Sequence, residues 1–273
     1  MATTPSITIR ELAELEEYQE CVALQEATWG DGFSERVPSA ILRVSQKIGG
    51  VTAGAFDASG RMLGFVFGMT GIRGGRRAHW SDMLAVREDA RGHHIGEQLK
   101  QYQRDRCVAL GVEVMYWTFD PLVARNAHLN LNKLGARASE YAEDMYGSNT
   151  GSTLHGAVPT DRFVAEWDLT RPFAPVSGAD LPAPGDLSLP LVNPLDDHGR
   201  PVVRDTGHAA SVRLQVPADA EALRMHGADL PLVWRLAVRR AVVPLLARGY
   251  VVTRFVRAHE GTLPYYVLTH SPS

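Results

Sequence analysis

The sequence predicts an α/β fold, in which a mixed, largely antiparallel sheet with flanking helices is followed by a smaller α+β segment. Three apolar stretches at 51–56, 62–70 and 79–86 follow one another with short connections, which is typical of an antiparallel meander. A strand, loop, helix and second strand across 79–119 form a βαβ crossover, which requires a parallel strand pair. A proline-rich stretch separates these elements from a final group of strands around one helix.

The individual elements follow from hydrophobic spacing and from turn residues. The alternation in "SITIREL" predicts a first strand, and a stripe of apolar residues beginning at Leu15 predicts the first helix. Pro38 suits the first position of a second helix, which ends near Gly49. Further along, the spacing predicts helices over 95–110 and 124–134 and strands over 112–119 and 162–169.

The prolines divide the chain. Seven of its 16 prolines fall between 171 and 201, so regular structure is not expected there. We therefore predict a first domain over 1–170, a linker over 171–205 and a C-terminal segment over 206–273. In that segment the pattern predicts a strand in "AASVRLQVP", a long helix that contains Pro244, and two closing strands.

Composition excludes several classes of function. The net charge of -3 provides no basic field for a nucleic acid backbone. Two cysteines are too few for a disulfide framework, and they suit a reducing compartment. No signal peptide and no membrane-spanning apolar run is evident, so we expect a cytoplasmic protein that does not contact membranes.

One polar stretch, "VREDARGHHIGEQLK", stands between a predicted strand and a predicted helix. Free N–H groups and the positive end of the helix dipole would meet there, which suits a phosphate group, although a plain turn has the same pattern. A metal site at the adjacent His93 and His94 is not expected, because neighbouring loop side chains rarely face one ion.

The stretch resembles the loop that binds the acyl-CoA pyrophosphate in the GNAT superfamily of N-acetyltransferases, whose pattern is Gln/Arg-x-x-Gly-x-Gly/Ala. "HWSDMLAV", "WTFDPLVARNAHLNLNKLGA", "YGSNTG" and "PTDRFVAEW" resemble a branch of predicted acetyltransferases with an added C-terminal segment. The resemblance covers about residues 6 to 169 and implies the GNAT acyl-CoA N-acyltransferase fold. Loop residues that match it are Arg91, Gly92, His93, Ile95 and Gly96, while His94 replaces a usual glycine.

The resemblance also implies the chemistry. Leu84, Ala85 and Val86 match the strand segment that holds the pantetheine arm and polarises the acyl carbonyl. The co-substrate would be acetyl-CoA or another acyl-CoA, with succinyl-CoA as a second candidate and no metal. The acceptor would be a small primary amine, for which the branch suggests an amino acid. A homodimer is compatible with the sequence.

Direct attack on the thioester requires a neutral amine, and therefore a base. Asp82 is our first candidate and His79 our second. Strand alternation places these two residues on opposite faces unless a bulge intervenes. Asp82 could equally be a buried structural residue.

The sequence departs from the family at the group that protonates the leaving thiolate. Leu131 stands where many members have a tyrosine, so Tyr141, Tyr146 or water would have to serve. Ala124 replaces an asparagine that contacts the cofactor, although Asn126 is near. The spacing of Asn126, Asn130 and Lys133 predicts one polar helical face, which is either solvated or in contact with the cofactor.

Four further residues are candidates for binding the acceptor. Glu26 and Trp29 lie at the end of the first helix, and Arg235 and Arg239 lie one turn apart in the C-terminal helix. The arginines could bind a carboxylate, or they could form the wet face of a helix packed through Leu232, Leu236 and Val243. A non-catalytic acyl-CoA-binding module is the alternative to an enzyme.

Overall fold

The computed structural model describes residues 7–147, 150–152, 158–173, 181–183, 185–225 and 229–270. Contacts divide the chain into two compact units. The first comprises Met1–Trp117, Asn149–Leu154 and Asp168–Pro172, and the second comprises Thr118–Ser148, His155–Trp167 and Phe173–Ser273. This division cuts through two strands, at 117/118 and at 167/168, so it does not define separate domains, and the predicted domain limits stay predictions.

The first unit contains a sheet with strand order β1-β2-β3-β4-β5. The first four strands pair antiparallel, and β5 joins β4 in parallel after the helical crossover. The strands are β1 (Thr8–Glu11), β2 (Val51–Phe56), β3 (Met62–Arg73), β4 (Arg76–Val86) and β5 (Val114–Phe119), and β5 continues into the second unit. The predicted meander and crossover are therefore confirmed.

Three helices pack on this sheet: α1 (Leu15–Trp29), α2 (Ser39–Lys47) and α3 (Ile95–Ala109). The predicted start of α2 is off by one residue, because Pro38 is its N-cap. Apolar residues of α1, α2, β3 and β4 form one core, which includes Leu24, Leu42, Phe67, Met83 and Ala85.

The second unit has the strand order β7-β6-β9-β10-β8. It contains β6 (Arg137–Ala142), β7 (Arg162–Asp168), β8 (Ser211–Gln215), β9 (Tyr250–Val256) and β10 (Tyr265–His270), with helices α4 (Ala124–Ala127), α5 (Ala220–Met225) and α6 (Asp229–Ala247). A π-helix, His128–Lys133, follows α4. The C-terminal segment is α+β as predicted, and β6 was not predicted.

Two predictions about helix faces are wrong. The regular polar face of Asn126, Asn130 and Lys133 does not form, because the π-helix breaks the 3.6-residue period and Asn130 is buried while the other two are exposed. In α6 the packed face is not the predicted one, since Leu232 is exposed and Arg235 is buried. The buried positions of α6 are Pro231, Trp234, Arg235, Ala237, Val238, Ala241, Val242 and Leu245.

Among the described residues, no helix is long and apolar enough to cross a membrane.

Candidate active site

The two strands at the centre of the first unit separate at a defined point. The parallel ladder between β4 and β5 contains three pairs and ends at Trp80↔Tyr116. On the other side of β4, the N–H of Arg87 donates to Leu63 O at 2.8 Å. Because hydrogen-bonded pairs alternate in an antiparallel ladder, the main-chain groups of Leu84 and Val86 point towards the edge that β5 has left. This edge is the candidate site for a pantetheine arm.

The polar loop follows that edge directly. Its residues Arg91, Gly92, His93 and His94 are exposed, and α3 begins at Ile95. The first backbone hydrogen bond of the helix runs from the N–H of Gln98 to His94 O at 3.0 Å. In the described part of the chain, the N–H groups of residues 92–97 form no backbone hydrogen bond outside the helix ladder, so they are available for an anion.

His94 has the backbone conformation that explains the usual glycine. Its φ is 57°, and Gly92 has a φ of 87°, so both lie in the left-handed region. A side chain costs about 1 kcal/mol there, whereas glycine adopts it freely. Gly96 is different: a Cβ built on it meets nothing closer than Leu84 Cδ2 at 3.5 Å. The space beside Gly96 is therefore open to a ligand, and the loop fits a pyrophosphate group.

Asp82 lies at a β-bulge. The register between β3 and β4 shifts at this residue, because Phe67 pairs with Met83 and Gly68 pairs with Ser81. Burial raises the pKa of Asp82, a hydrogen bond from the Trp80 indole opposes that effect, and Glu35 raises the pKa further. A half-buried carboxylate with a raised pKa is suited to accept a proton.

His79 lies on the opposite face of β4. Its Nε2 is 3.0 Å from Gln103 Nε2 on α3, and its Nδ1 is 2.9 Å from Thr70 Oγ1. Burial lowers the pKa of His79 to about 3, and the charge of Lys100 lowers it further. The ring is completely buried, so it offers no surface to a substrate amine.

Lys100 and Ser81 were not identified from the sequence. Lys100 Nζ donates to Ser81 Oγ at 2.6 Å and lies 4.1 Å from the centroid of the Trp117 ring. Ser81 and Trp117 are the first residues of β4 and β5 beyond the last ladder pair. The lysine amine therefore lies where the two strands begin to diverge. In the sequence, the signal for Lys100 was its position directly after Leu99, which is completely buried.

The candidates at the end of α1 pack within the first unit. Trp29 stacks on Phe33, with ring centroids 5.5 Å apart. Glu26 forms an ion pair with Arg36 of the loop between α1 and α2. Trp29 and Phe33 pack in the core cluster that also contains Met83 of β4.

The candidates in the second unit form a buried network. Arg235 donates to Asp120 Oδ2 at 2.7 Å, and Arg239 Nε donates to Asp161 Oδ2 at 2.8 Å. Tyr141 also donates to Asp161 Oδ2 at 2.8 Å. Burial raises the pKa of Tyr141 well above its usual range, and the charge of Asp161 adds to this effect. Both arginines are thus bound to carboxylates of the chain itself.

Tyr146, another candidate for the general acid, and Leu131, at the usual tyrosine position, also lie in the second unit. Tyr146 OH is 2.7 Å from Thr118 Oγ1. Leu131, at the usual tyrosine position, is completely buried in the π-helix. Asp120, Asp161 and Arg162 were missed as members of the network around Arg235 and Arg239, although Asp161 and Arg162 are an adjacent pair of opposite charge at the start of β7.

No group of three or more His, Cys, Asp or Glu residues that could hold a metal ion occurs in the described ranges.

No protein-family model and no curated protein sequence matches the chain. Solved structures do. A predicted acetyltransferase from Acinetobacter baylyi ADP1 is 19% identical, with 63% of this chain and 98% of that chain covered and a TM-score of 0.50. An N-acetyltransferase from Staphylococcus aureus Mu50 is 16% identical, covering 60% and 99%, with a TM-score of 0.49. An acetyltransferase of Salmonella typhimurium, solved with acetyl-CoA, is 17% identical, covering 63% and 99%, with a TM-score of 0.47.

At these identities the comparison establishes architecture alone. The mixed, mostly antiparallel strands with flanking helices agree with it. About three fifths of the chain is covered, and the covered partner is nearly complete. The chain therefore has the fold of the GNAT N-acetyltransferases.

Proposed function

We propose that the protein is an acyl-CoA-dependent N-acyltransferase that moves an acyl group to a primary amine in a ternary complex. The observation that carries this proposal is the divergence of β4 from β5 at Trp80↔Tyr116, directly before a loop with free N–H groups. An open strand edge beside an anion site matches a ligand that has an extended amide-containing arm and a pyrophosphate.

Acyl-CoA is bound by residues of the first unit. The N–H groups of residues 92–97 and the side chain of Arg91 bind the pyrophosphate. The main-chain groups of Leu84 and Val86 bind the amides of the pantetheine arm. An N–H of the same strand segment stabilises the negative charge that develops on the carbonyl oxygen.

The chemical step begins with proton removal. Asp82 takes a proton from the ammonium group, and the neutral amine attacks the thioester carbonyl. The C–N bond forms, the C–S bond breaks, and the thiolate leaves. A proton from the nitrogen, relayed by solvent, neutralises the thiolate, because Leu131 has no proton to donate.

The proposed acceptor and the proposed acyl donors rest on the resemblance to the GNAT acetyltransferases. An amino acid is our proposed acceptor, and acetyl-CoA and succinyl-CoA are the two proposed donors. Tyr141 is the weaker candidate for a general acid, because its proton is held by Asp161 and burial raises its pKa.

The test is release of free thiol from acetyl-CoA and succinyl-CoA with a panel of amines. We expect Asp82→Asn to lower kcat by about a hundredfold, the usual scale for a general base, with unchanged CoA affinity. Glu35→Gln is the matched control, since it removes a nearby carboxylate that is exposed. It should lower kcat by less than about threefold.

The raised pKa of Asp82 adds a pH signature. Asp82 must be ionised to accept a proton, so kcat should fall as the pH drops through its raised pKa, and the fall should be absent in the residual activity of Asp82→Asn. CoA binding without thiol release from any amine would favour the non-catalytic binding module. Full activity of Asp82→Asn would reject the assigned base.

A further inference from the structure

Lys100 is a buried lysine that takes no part in the reaction steps proposed so far. It lies on α3 and is only 4% exposed. Its contacts in the described part of the chain, with Ser81 Oγ and with the Trp117 ring, include no carboxylate. A buried ammonium group without a carboxylate costs stability, because the loss of its hydration is not compensated. Proteins accept such a cost mainly at functional sites.

The amine lies between the two strands that diverge. Its Nζ donates to Ser81 Oγ at 2.6 Å and lies 4.1 Å from the centroid of the Trp117 ring. Ser81 of β4 and Trp117 of β5 are the first residues beyond the last pair of the parallel ladder, Trp80↔Tyr116, and all of them belong to the first unit. Lys100 therefore lies at the narrow end of the gap between these strands.

The length of the gap matches the arm that it is proposed to hold. Ser81 lies five positions before Val86, the last residue of β4. At about 3.3 Å per residue, this part of the strand spans about 16 Å, which is close to the length of an extended pantetheine arm. With the pyrophosphate on the loop before α3 and the arm along β4, the sulfur atom would lie at the end of the gap, beside Lys100.

The amine is also suited to release a proton. Burial lowers the pKa of Lys100 from 10.5 to about 7, and the nearby Cys107 of α3 opposes this effect. The titratable group that faces it from β4 is His79, whose pKa burial lowers to about 3, so His79 stays neutral. Thiols ordinarily have a pKa of about 8.5, so a thiolate is a stronger base than this amine and the transfer of a proton to sulfur is favourable.

We propose that Lys100 is the proton donor to the thiolate that leaves when the thioester is cleaved. This deepens the proposed function and rests on it, because it names the last donor in the relay of a proton from nitrogen to sulfur. As the C–S bond breaks, its electron pair stays on sulfur and takes a proton from the Lys100 ammonium group. The neutral lysine then regains the proton that the acylated nitrogen releases to solvent, while Ser81 Oγ holds Nζ in place.

The test compares wild type, Lys100→Met and Lys47→Met by thiol release from acetyl-CoA, with the amine that the wild type acylates fastest. We expect Lys100→Met to lower kcat about a hundredfold, the usual scale for a general acid, and to change KM for acetyl-CoA by less than about threefold. Lys47 is exposed on α2, so Lys47→Met should match the wild type. Because Lys100→Met removes an uncompensated buried amine, it should also unfold at a higher urea concentration at pH 7.5, so its lost activity would not come from lost folding.

The pH dependence separates a proton donor from a side chain that only packs. Lys100 must be charged to donate, so kcat of the wild type should fall as the pH rises above about 7, and the residual kcat of Lys100→Met should lack this fall. If Lys100→Met fails to fold, the wild-type profile decides, since a kcat that does not fall between pH 7 and about 9 would overturn the assignment.

The outcomes for Lys100 and for the proposed function are distinct. Thiol release by the wild type, with an equal kcat in Lys100→Met, would overturn the role of Lys100 and leave the proposed function standing. A raised KM with an unchanged kcat would overturn that role too, because Lys100 would then contribute to binding alone. No thiol release by the wild type from any amine would reject the proposed function, and the role of Lys100 with it.

Discussion

Lys100 is a fully buried amine whose replacement should stabilise the protein. Its Nζ contacts Ser81 Oγ and the Trp117 ring, and neither group is a carboxylate. Burial lowers the pKa of Lys100 from 10.5 to about 7. A lowered lysine pKa means that folding disfavours the charged form.

The size of the stability gain follows from the linkage between proton binding and folding. A shift of this size corresponds to about 4 to 5 kcal/mol at 1.36 kcal/mol per pKa unit. Between about pH 7 and 10.5 the unfolded chain holds a proton that the folded chain lacks, so stability rises with pH at about 1.4 kcal/mol per unit from this group. Lys100→Met removes the penalty and loses one hydrogen bond worth about 1 kcal/mol. It should therefore stabilise by about 3 kcal/mol at pH 7.5, with the gain falling towards zero near pH 9.5.

The assay is urea unfolding of wild type, Lys100→Met and Lys47→Met at several pH values between 7 and 10. Lys47 is exposed on α2, so its replacement should leave the pH dependence of stability unchanged. Parallel pH profiles for wild type and Lys100→Met would refute the reasoning, because they would mean that Lys100 stays charged in the folded protein.

Two further predictions concern the loop and the buried network. His94→Gly should stabilise the protein by up to about 1 kcal/mol, because it removes a side chain from a left-handed position. Its affinity for acetyl-CoA, measured by calorimetry, should be retained. Gly96→Glu should abolish that affinity, since it places a carboxylate in space that packing leaves open. Equal affinity of Gly96→Glu and wild type would reject the pyrophosphate loop. Asp161→Asn should destabilise by about 3 to 5 kcal/mol in urea unfolding at pH 7, because it leaves Arg239 without its buried partner. Burial raises the pKa of Asp161, but hydrogen bonds from Arg239, Asp144 and Tyr141 outweigh it and hold that pKa low. The stability that Asp161 contributes should therefore be present above about pH 4 and be lost as the pH falls through the lowered pKa. A loss of stability below about 1 kcal/mol in Asp161→Asn would contradict this account.

The first unit could be predicted well because its signals are local. Three neighbouring apolar strands pair with one another, and the crossover that follows has a known hand and direction. Glycine and proline near the predicted ends of the helices, such as Pro38 and Gly111, marked their limits within a few residues. The loop before α3 was identified for the same reason.

Parts of the second unit could not be predicted because their partners are distant in sequence. β6, with the sequence "RASEYA", has one fully buried residue, Ala138, and gains its place by pairing with β7 and β9. Asn132 exchanges two hydrogen bonds with the main chain of Phe255, which no local pattern reveals. The same holds for Arg235, whose partner Asp120 lies 115 residues earlier, so an amphipathic interpretation of α6 placed its arginines in solvent.

The bulge at Asp82 reverses the predicted alternation for the residues that follow it. Before the bulge, His79 and Ser81 face α3, where they contact Gln103 and Lys100. After it, Leu84 faces α3 beside Gly96, while Met83 packs with the core of α1 and α2. An unbroken strand would place 79, 81 and 83 on one face.

In our proposal β4 therefore performs two tasks. It carries the Asp82 carboxylate on the face opposite His79, beside the Trp80 indole that donates to it. Two residues later, it presents the main-chain groups of Leu84 to the edge that β5 has left. Bulges commonly re-aim side chains next to active sites.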